Sequence, residues 1–304
     1  MLKEVQRSSL SVPVNIPKFV EKAHLRGADA IMLDLEDAIP PAEKERARTL
    51  IKDAIPLVAR GGAGVVVRIN KYLPLISDDV DASVHPGLNG IVLPKVETPE
   101  DVHKLEQQVE QLERDRGIAN GHVRFHILIE TPRGLLRVED IAASSKRIRS
   151  MAVGMEDYCM ELGVEPSPDG IEIFHAVSRV VTVSKALGIK PMGLLGSIGN
   201  FGDLEGFEFS ANRARQVGCE GAGCIHPNQV TVLNRVFSPS AEKVAYAKRV
   251  VEAFESGVNS GTASVNVDGN MVDIPIYYRV KTILEKAEAI EALEQKKAEA
   301  LAKL

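Results

Sequence analysis

The sequence has no tryptophan, few other aromatic residues and only three cysteines. Because aromatic residues make up 4% of the chain, the core must be built mainly from aliphatic side chains. Three cysteines cannot pair completely, and Cys219 and Cys224 lack the second pair that a structural zinc site would need. We therefore expect reduced thiols and a cytoplasmic location.

Long hydrophobic runs and an excess of positive charge are also lacking. No stretch approaches the ~20 apolar residues of a membrane span, and residues 1–10 have no signal-peptide core, so we expect no membrane partner. The formal net charge of -5 argues against nucleic acid as a partner. What remains is a chain of 304 residues, 44% hydrophobic and 26% charged, which is typical of a soluble globular protein with a sizeable core.

Short apolar runs alternate with longer amphipathic stretches along most of the chain. The apolar runs cover residues 10–14, 30–35, 64–69, 90–96, 124–130, 151–154, 192–198 and 223–225. The stretches with helical character cover residues 17–27, 41–58, 99–116, 138–145, 172–188 and 206–218. Nearly continuous apolar runs are typical of strands buried on both faces of a parallel sheet. Eight such runs predict a (β/α)8 TIM barrel, with an open doubly wound sheet as the competing fold.

The rhythm of the sequence changes after Phe237. A helix is predicted over residues 239–257, followed by a polar loop over 258–269, a short apolar segment over 271–274 and a final helix from 275. We therefore predict two parts. Residues 1–236 form the barrel with the metal site, and residues 237–304 form a C-terminal helical lid extension.

Two acidic residues follow neighbouring strands of the predicted barrel. Glu130 ends strand 5 and Asp157 follows strand 6, and catalytic groups of such barrels sit at the carboxyl ends of the strands. Two carboxylates in one opening repel each other unless a cation lies between them, and Mg²⁺ commonly takes one or two protein carboxylates. Alternatively, each could cap the next helix. That is the simpler interpretation for Asp157 alone, whereas Glu is a poor N-cap.

Three basic residues lie at the same predicted end of the barrel. Arg68 leaves a hydrophobic strand, so it needs a partner, either a carboxylate-bearing substrate or Glu36 in a permanent ion pair. Lys95 could form a Schiff base in principle, but nearby carboxylates favour metal chemistry, and a solvated rim lysine is the plainer interpretation. His226 could either order the turn after strand 8 or take part in catalysis.

These residues lie in motifs that resemble the citrate lyase β subunit/malyl-CoA lyase family, part of the phosphoenolpyruvate/pyruvate-binding barrel superfamily. The match runs over nearly the whole chain and depends on the order and spacing of its pieces. The pieces are Arg7-Ser8, Gly27-Ala28-Asp29-Ala30, Leu33-Asp34-Leu35-Glu36-Asp37-Ala38, Val67-Arg68-Ile69-Asn70, Leu93-Pro94-Lys95, Ile129-Glu130-Thr131-Pro132, Gly154-Met155-Glu156-Asp157, Asp203-Leu204-Glu205-Gly206, Ile225-His226-Pro227-Asn228-Gln229, Phe237-Ser238-Pro239-Ser240 and Asp268-Gly269-Asn270-Met271-Val272-Asp273.

The resemblance implies a role for each residue of the site. Glu130 and Asp157 would be ligands of Mg²⁺, with Mn²⁺ as a possible substitute, and Arg68 would hold the 2-oxo acid. Glu36 would order Arg68, and Asp273 on a mobile lid would exchange a proton with the acyl methyl carbon. Further substrate contacts are expected from Asp37, Lys95 and Pro132. A homotrimer or homohexamer is expected.

The implied activity is cleavage of a 3-hydroxy acyl-CoA thioester, of the citryl-, malyl- or citramalyl-CoA kind, to an acyl-CoA and a 2-oxo acid. Two alternatives stay open, a metal-dependent pyruvate-type aldolase of free hydroxy-oxo acids and a non-catalytic carrier-docking subunit. The chain departs from the family at Ser11-Val12-Pro13-Val14, at Gly221-Ala222 and at Leu195, where members carry Phe-Val-Pro-Gly, Gly-Lys and an acid. The first two changes would weaken contacts to coenzyme A phosphates.

Overall fold

The computed structural model describes residues 5–72, 74–259 and 262–304. The chain folds into two compact units, one of residues 6–237 with 300–304 and the other chiefly of residues 238–299. Whether residues 1–236 and 237–304 are separate domains, as the sequence suggests, stays a prediction.

Eight parallel strands form the first unit. They are β1 (Ser8–Pro13), β2 (Ala30–Asp34), β3 (Gly64–Arg68), β4 (Gly90–Leu93), β5 (Arg124–Ile129), β6 (Ile148–Val153), β7 (Lys190–Met192) and β8 (Ala222–Cys224). Their order in the sheet is β7-β6-β5-β4-β3-β2-β1-β8. The remaining seam is bridged where the Glu220 N–H donates to the Pro191 carbonyl and the Gly193 N–H donates to the Gly221 carbonyl, both at 2.9 Å. The predicted (β/α)8 barrel is confirmed.

Helices follow the strands around the barrel. They are α1 (Pro17–Ala23), α2 (Lys44–Ala59), α3 (Leu75–Ser83), α4 (Pro99–Asp115), α5 (Pro132–Leu136), α6 (Val138–Ala143), α7 (Met155–Leu162), α8 (Ile171–Ala186), α9 (Leu204–Val217) and α10 (Pro227–Val236). Three of them start with proline after a residue whose side chain accepts a backbone N–H, namely Thr98, Thr131 and His226. His226 therefore has the turn-ordering role considered for it.

Aliphatic side chains from alternate strand positions fill the layer between strands and helices. Ile31, Leu33, Val65, Val67 and Ile91 are completely buried. On the opposite side of the strands, several side chains that face the barrel interior are small, among them Ser9, Ser150 and Ala152, and Gly223 is exposed within β8. Small interior residues leave room for a cavity inside the barrel.

Some predicted elements were wrong in position or missing. Strand 7 was expected over residues 192–198, but β7 ends at Met192, the last residue that pairs with β6. Gly193 and Gly196 follow with φ of 146° and 153°, which are not the dihedrals of a regular strand. The Leu194–Leu195 pair is buried in the following loop instead. The short helices α3, α5, α7 and α10 were not predicted.

The second unit contains α11 (Ala241–Asn259), an antiparallel hairpin of β9 (Val265–Val267) and β10 (Asn270–Val272), and α12 (Ile274–Leu301). Its own core contains Ala247, Val250, Phe254, Val272 and Val280. The predicted loop over residues 258–269 includes β9, and its residues 260 and 261 lie outside the described residues. No helix in the described parts of the chain combines the length and the apolar character that crossing a membrane requires.

Candidate active site

The carboxyl ends of the strands surround a cavity of about 260 Å³, and this end is called the mouth below. The residues that carry charge in its lining are Asp37, Arg68, Glu130, Glu156 and Asp157. They come from the ends of four different strands or the turns that follow, as the position rule for such barrels predicts. The cavity extends into the barrel, where Ser9, Met32, His126, Ser150 and Gly223 line it.

Arg68 is held by two acidic side chains of the neighbouring strand end. Its Nε and Nη2 donate to the two carboxylate oxygens of Asp34 at 2.9 and 2.6 Å, and its Nη1 lies 3.0 Å from Glu36 Oε2. Burial acts to lower the pKa of Arg68, but these carboxylates raise it above its usual value. Arg68 is therefore a fixed cation in a set orientation, as binding a substrate carboxylate would require.

Glu130 is buried at 3% exposure, directly after β5. Its Oε2 accepts a hydrogen bond from the Lys95 backbone N–H at 2.7 Å. Burial, with the nearby charges of Glu36 and Asp157, raises the pKa of Glu130 to about 7. A Cβ at position 154 would lie 2.2 Å from Glu130 Oε1, so glycine at that position leaves the space that this carboxylate occupies.

The carboxylates of Glu130 and Asp157 are close enough to repel each other, which is the arrangement that a bound cation relieves. Among the described residues, no group of three or more His, Cys, Asp or Glu side chains is arranged to hold a metal ion. A pair of carboxylates nevertheless suits Mg²⁺, which keeps several waters and accepts substrate oxygens for the remaining positions. The donor set therefore fits magnesium.

Lys95 reaches across the mouth from the end of β4. Its Nζ lies 2.7 Å from Glu36 Oε1, 3.3 Å from Asp157 Oδ1 and 4.0 Å from Asp37 Oδ2. Burial acts to lower the pKa of Lys95, but hydrogen bonding to Glu36 and the charges of Glu130 and Asp157 raise it above its usual value. A lysine held in the charged form is not poised to form a Schiff base.

A second layer of polar contacts supports the end of β2. Lys44 Nζ donates to the carbonyl oxygens of Leu35 and Glu36 at 2.8 and 2.5 Å and to Asn70 Oδ1 at 2.8 Å. Asn70 in turn donates to the buried Asp79 through its backbone and its side chain, at 2.8 and 2.6 Å. These contacts fix the turn that carries Glu36 and Asp37.

Two acidic residues at the mouth were missed as site residues from the sequence. Asp34 is completely buried and is the main partner of Arg68, although the sequence pointed only to Glu36. Glu156 lines the cavity, and Ser197 Oγ donates to its Oε1 at 2.5 Å. Both stand in the family motifs beside an assigned residue, so the motif was the available signal.

Two other predicted site residues each have a local role in the structure. Pro132 starts α5 and is not among the residues that line the cavity. Asp273 belongs to the second unit, where its Oδ1 accepts the backbone N–H of Ile276 at 3.1 Å and so caps α12. Its role as the proton-exchanging residue stays a prediction.

Residues 7–227 match the HpcH/HpaI aldolase/citrate lyase family. The chain belongs to this family. The match covers all eight strands and every charged residue that lines the mouth. Asp273 lies outside the matched residues, in the second unit.

Curated relatives and solved structures agree with the family. A citrate lyase subunit beta from Leuconostoc mesenteroides is 33% identical over 94% of this chain and 95% of its own length. An L-malyl-CoA/beta-methylmalyl-CoA lyase from Cereibacter sphaeroides is also 33% identical, over 94% of this chain and 96% of its own. The crystal structure of CitE from Mycobacterium tuberculosis, in complex with magnesium, acetoacetate and coenzyme A, covers 95% of this chain and all of its own, at 27% identity and a TM-score of 0.73.

The predicted family resemblance is thus confirmed. Both curated relatives are named as lyases, and this member of the HpcH/HpaI aldolase/citrate lyase family is an enzyme of the lyase class.

Proposed function

We propose that this protein is a Mg²⁺-dependent carbon–carbon lyase that cleaves a 3-hydroxy acyl thioester to an acyl thioester and a 2-oxo acid. The observation that carries the proposal is the placement of Glu130, Asp157 and Arg68 in one cavity. Two carboxylates suit a hard cation, and a fixed guanidinium suits a carboxylate-bearing substrate. The name of the L-malyl-CoA/beta-methylmalyl-CoA lyase relative supports a thioester substrate.

In the proposed reaction, Arg68, Glu36 and Asp273 have different roles. A water molecule from solvent takes the hydroxyl proton of the substrate, the new alkoxide becomes the carbonyl of the 2-oxo acid as the carbon–carbon bond breaks, and the electron pair of that bond stays on the acyl fragment as an enolate. Arg68 binds the oxo-acid fragment and stabilises the oxygen charge on that side, and Glu36 keeps Arg68 in place. Magnesium, when bound, supplies Lewis-acid stabilisation of that charge. Asp273 delivers a proton to the enolate carbon, which yields the acyl thioester.

The proposal also includes the number of subunits and the location of the protein. We expect a homotrimer or homohexamer in the cytoplasm, with an acyl-CoA or oxo-acid substrate. The lid role of residues 237–304 would bring Asp273 to a mouth, either of the same subunit or of a neighbouring one. Sedimentation analysis of the purified chain would decide the number of subunits.

A substrate panel tests the proposal. The full chain with Mg²⁺ is incubated with citryl-, malyl- and citramalyl-CoA and, separately, with free hydroxy-oxo acids, and the released oxo acid is measured. We expect release from at least one thioester. Release from free acids alone would replace the proposal with the pyruvate-type aldolase. No release from either class, with Mg²⁺ bound, would favour a carrier-docking subunit.

Replacement of Arg68 by lysine tests whether the guanidinium holds the substrate. Lysine keeps the charge but cannot contact both oxygens of a carboxylate, so we expect oxo-acid affinity and turnover each to fall by about 10–100-fold. Steady-state kinetics and oxo-acid titration measure the two effects. Arg116→Lys is the matched control, because Arg116 pairs with Asp81 outside the mouth. If Arg68→Lys behaves like the unchanged protein, Arg68 forms only a structural ion pair.

The pKa of Glu130 predicts how metal affinity depends on pH. Because burial and neighbouring acids raise that pKa to about 7, a proton competes with the metal below this pH and not above it. We expect Mn²⁺ affinity to fall by about tenfold per pH unit below about 7 and to be nearly constant above it. Calorimetry in buffers of different ionisation enthalpy measures the released proton. An affinity independent of pH between about 5.5 and 8.5 would exclude Glu130 as a ligand that titrates in this way.

A further inference from the structure

Lys95 has a backbone conformation that side-chain-bearing residues rarely adopt. Its φ is 51°, and of the described residues other than glycine, only Lys95 and Asp268 have positive φ. This left-handed region costs free energy for a residue with a Cβ, whereas glycine adopts it freely. Strain of this kind persists where surrounding contacts hold it, and such positions cluster at functional sites.

The contacts that hold Lys95 involve both proposed metal ligands. The backbone N–H of Lys95 donates to Glu130 Oε2 at 2.7 Å. Its side chain turns back into the mouth, where Nζ lies 2.7 Å from Glu36 Oε1 and 3.3 Å from Asp157 Oδ1. The strained backbone therefore lets one residue contact Glu130 with its amide and Asp157 with its ammonium.

The other cations near the mouth, Arg68 and Lys44, make their hydrogen bonds and ion pairs to other groups. Arg68 contacts Asp34 through two nitrogen atoms and Glu36 through a third. Lys44 is directed at backbone carbonyls and Asn70 rather than at the metal-binding pair. The ammonium of Lys95 instead contacts Asp157, one of the proposed metal ligands.

We propose that Lys95 is a positioning residue that sets the metal affinity of this site, its amide fixing Glu130 while its ammonium competes with the metal for Asp157. The inference rests on the proposed function, because it takes Glu130 and Asp157 as the metal ligands. In the metal-free protein the positive charge of Lys95 compensates the negative charge of Asp157. When a metal dication binds Asp157, the same ammonium repels it. Metal binding must displace this contact, so the lysine weakens metal binding while it keeps the acidic cluster in order.

Binding of Mn²⁺ alone to the full-length chain tests the inference. Mn²⁺ is titrated against the unchanged protein and three variants, and free Mn²⁺ is measured by electron paramagnetic resonance. Lys95→Met removes the charge and keeps the length of the side chain, so we expect binding at least about tenfold tighter. Lys95→Arg keeps a cation and should bind close to the unchanged protein. Lys71→Met is the control, since Lys71 pairs with Asp101.

The outcomes separate this inference from the proposed function. Unchanged or weaker Mn²⁺ binding by Lys95→Met would overturn the competition, and so would equal tightening by Lys95→Arg or Lys71→Met. If the unchanged protein binds no Mn²⁺, the metal site fails and the inference fails with it. Lys95→Gly is a second variant, used if Lys95→Met folds poorly. Glycine adopts the positive φ freely and keeps the backbone N–H, so this variant should also bind Mn²⁺ more tightly than the unchanged protein.

Discussion

Asparagine in place of Asp273 should lower the rate of thioester cleavage by about 10²–10⁴-fold, which is the usual effect of a positioned general acid or base. Substrate binding should change little, because the substitution removes one proton-carrying oxygen and no bulk. Asparagine caps a helix about as well as aspartate, so the hydrogen bond to the Ile276 N–H and the start of α12 should be kept. The loss should therefore come from chemistry rather than from unfolding.

Two measurements check this expectation. Steady-state kinetics separate kcat from KM, and exchange of solvent deuterium into the methyl group of acetyl-CoA, with an oxo acid present, reports the proton transfer directly. Asp268→Asn is the control in the same unit, because Asp268 forms an ion pair with Arg249 at the hairpin turn. An active Asp273→Asn, or an equal loss in Asp268→Asn, would contradict the acid–base role of Asp273.

Removing the charge of either proposed metal ligand should have the second large effect. Glu130→Gln or Asp157→Asn should weaken Mg²⁺ binding by more than about 100-fold, since even outer-shell partners of metal sites contribute 10–100-fold. Excess chelator should abolish activity of the unchanged protein. Calorimetric Mg²⁺ titration and activity at increasing Mg²⁺ measure both effects, and Glu139→Gln on the surface is the control.

Stability distinguishes loss of a ligand from loss of the fold in the same variants. The pKa of Glu130 is raised from 4.5 to about 7 in the folded protein, so this carboxyl group costs stability as the pH rises from 4.5 to about 7. Above about pH 7 the cost is complete, and a neutral side chain at this position avoids it. Metal-free Glu130→Gln should therefore melt at the same temperature as the unchanged protein or higher at about pH 8. A melting temperature well below that of the unchanged protein would show that Glu130 is needed for the fold.

The barrel could be predicted from the sequence because its strands are continuous apolar runs with long amphipathic stretches between them. Strand 7 could not be placed, because Gly193 and Gly196 interrupt an apolar run that continues through Leu194 and Leu195. Helix α3 was missed, since its sequence is rich in Asp and Ser within nine positions and gives a weak periodic signal. In such segments, packing against the rest of the protein determines the secondary structure, and the local sequence does not.

The sequence predicted which residues lie at the strand ends and the pairing of Arg68 with Glu36, but not the pairing of Arg68 with Asp34. The ends of the strands can be found from the sequence, so Glu36, Arg68, Lys95, Glu130 and Asp157 could be expected at one opening. Which acid pairs with Arg68 depends on the register that sets Asp34 opposite Arg68, and register is a property of the assembled sheet. The left-handed backbone conformation of Lys95 could not be predicted either, because lysine rarely adopts a positive φ.

In the described part of the chain, the lining of the cavity carries charge at the mouth and none deeper in the barrel. Along β5, Glu130, Leu128 and His126 line the cavity at successive depths. Burial lowers the pKa of His126 to about 3, so its ring, in contact with Ser150 Oγ at 2.7 Å, is uncharged near neutral pH. Under the proposed function, a substrate carboxylate would bind at the level of Arg68 and would meet an uncharged lining below it. We therefore expect the charged end of a substrate to stay at the mouth, and the inner part of the cavity to hold water or a neutral substituent.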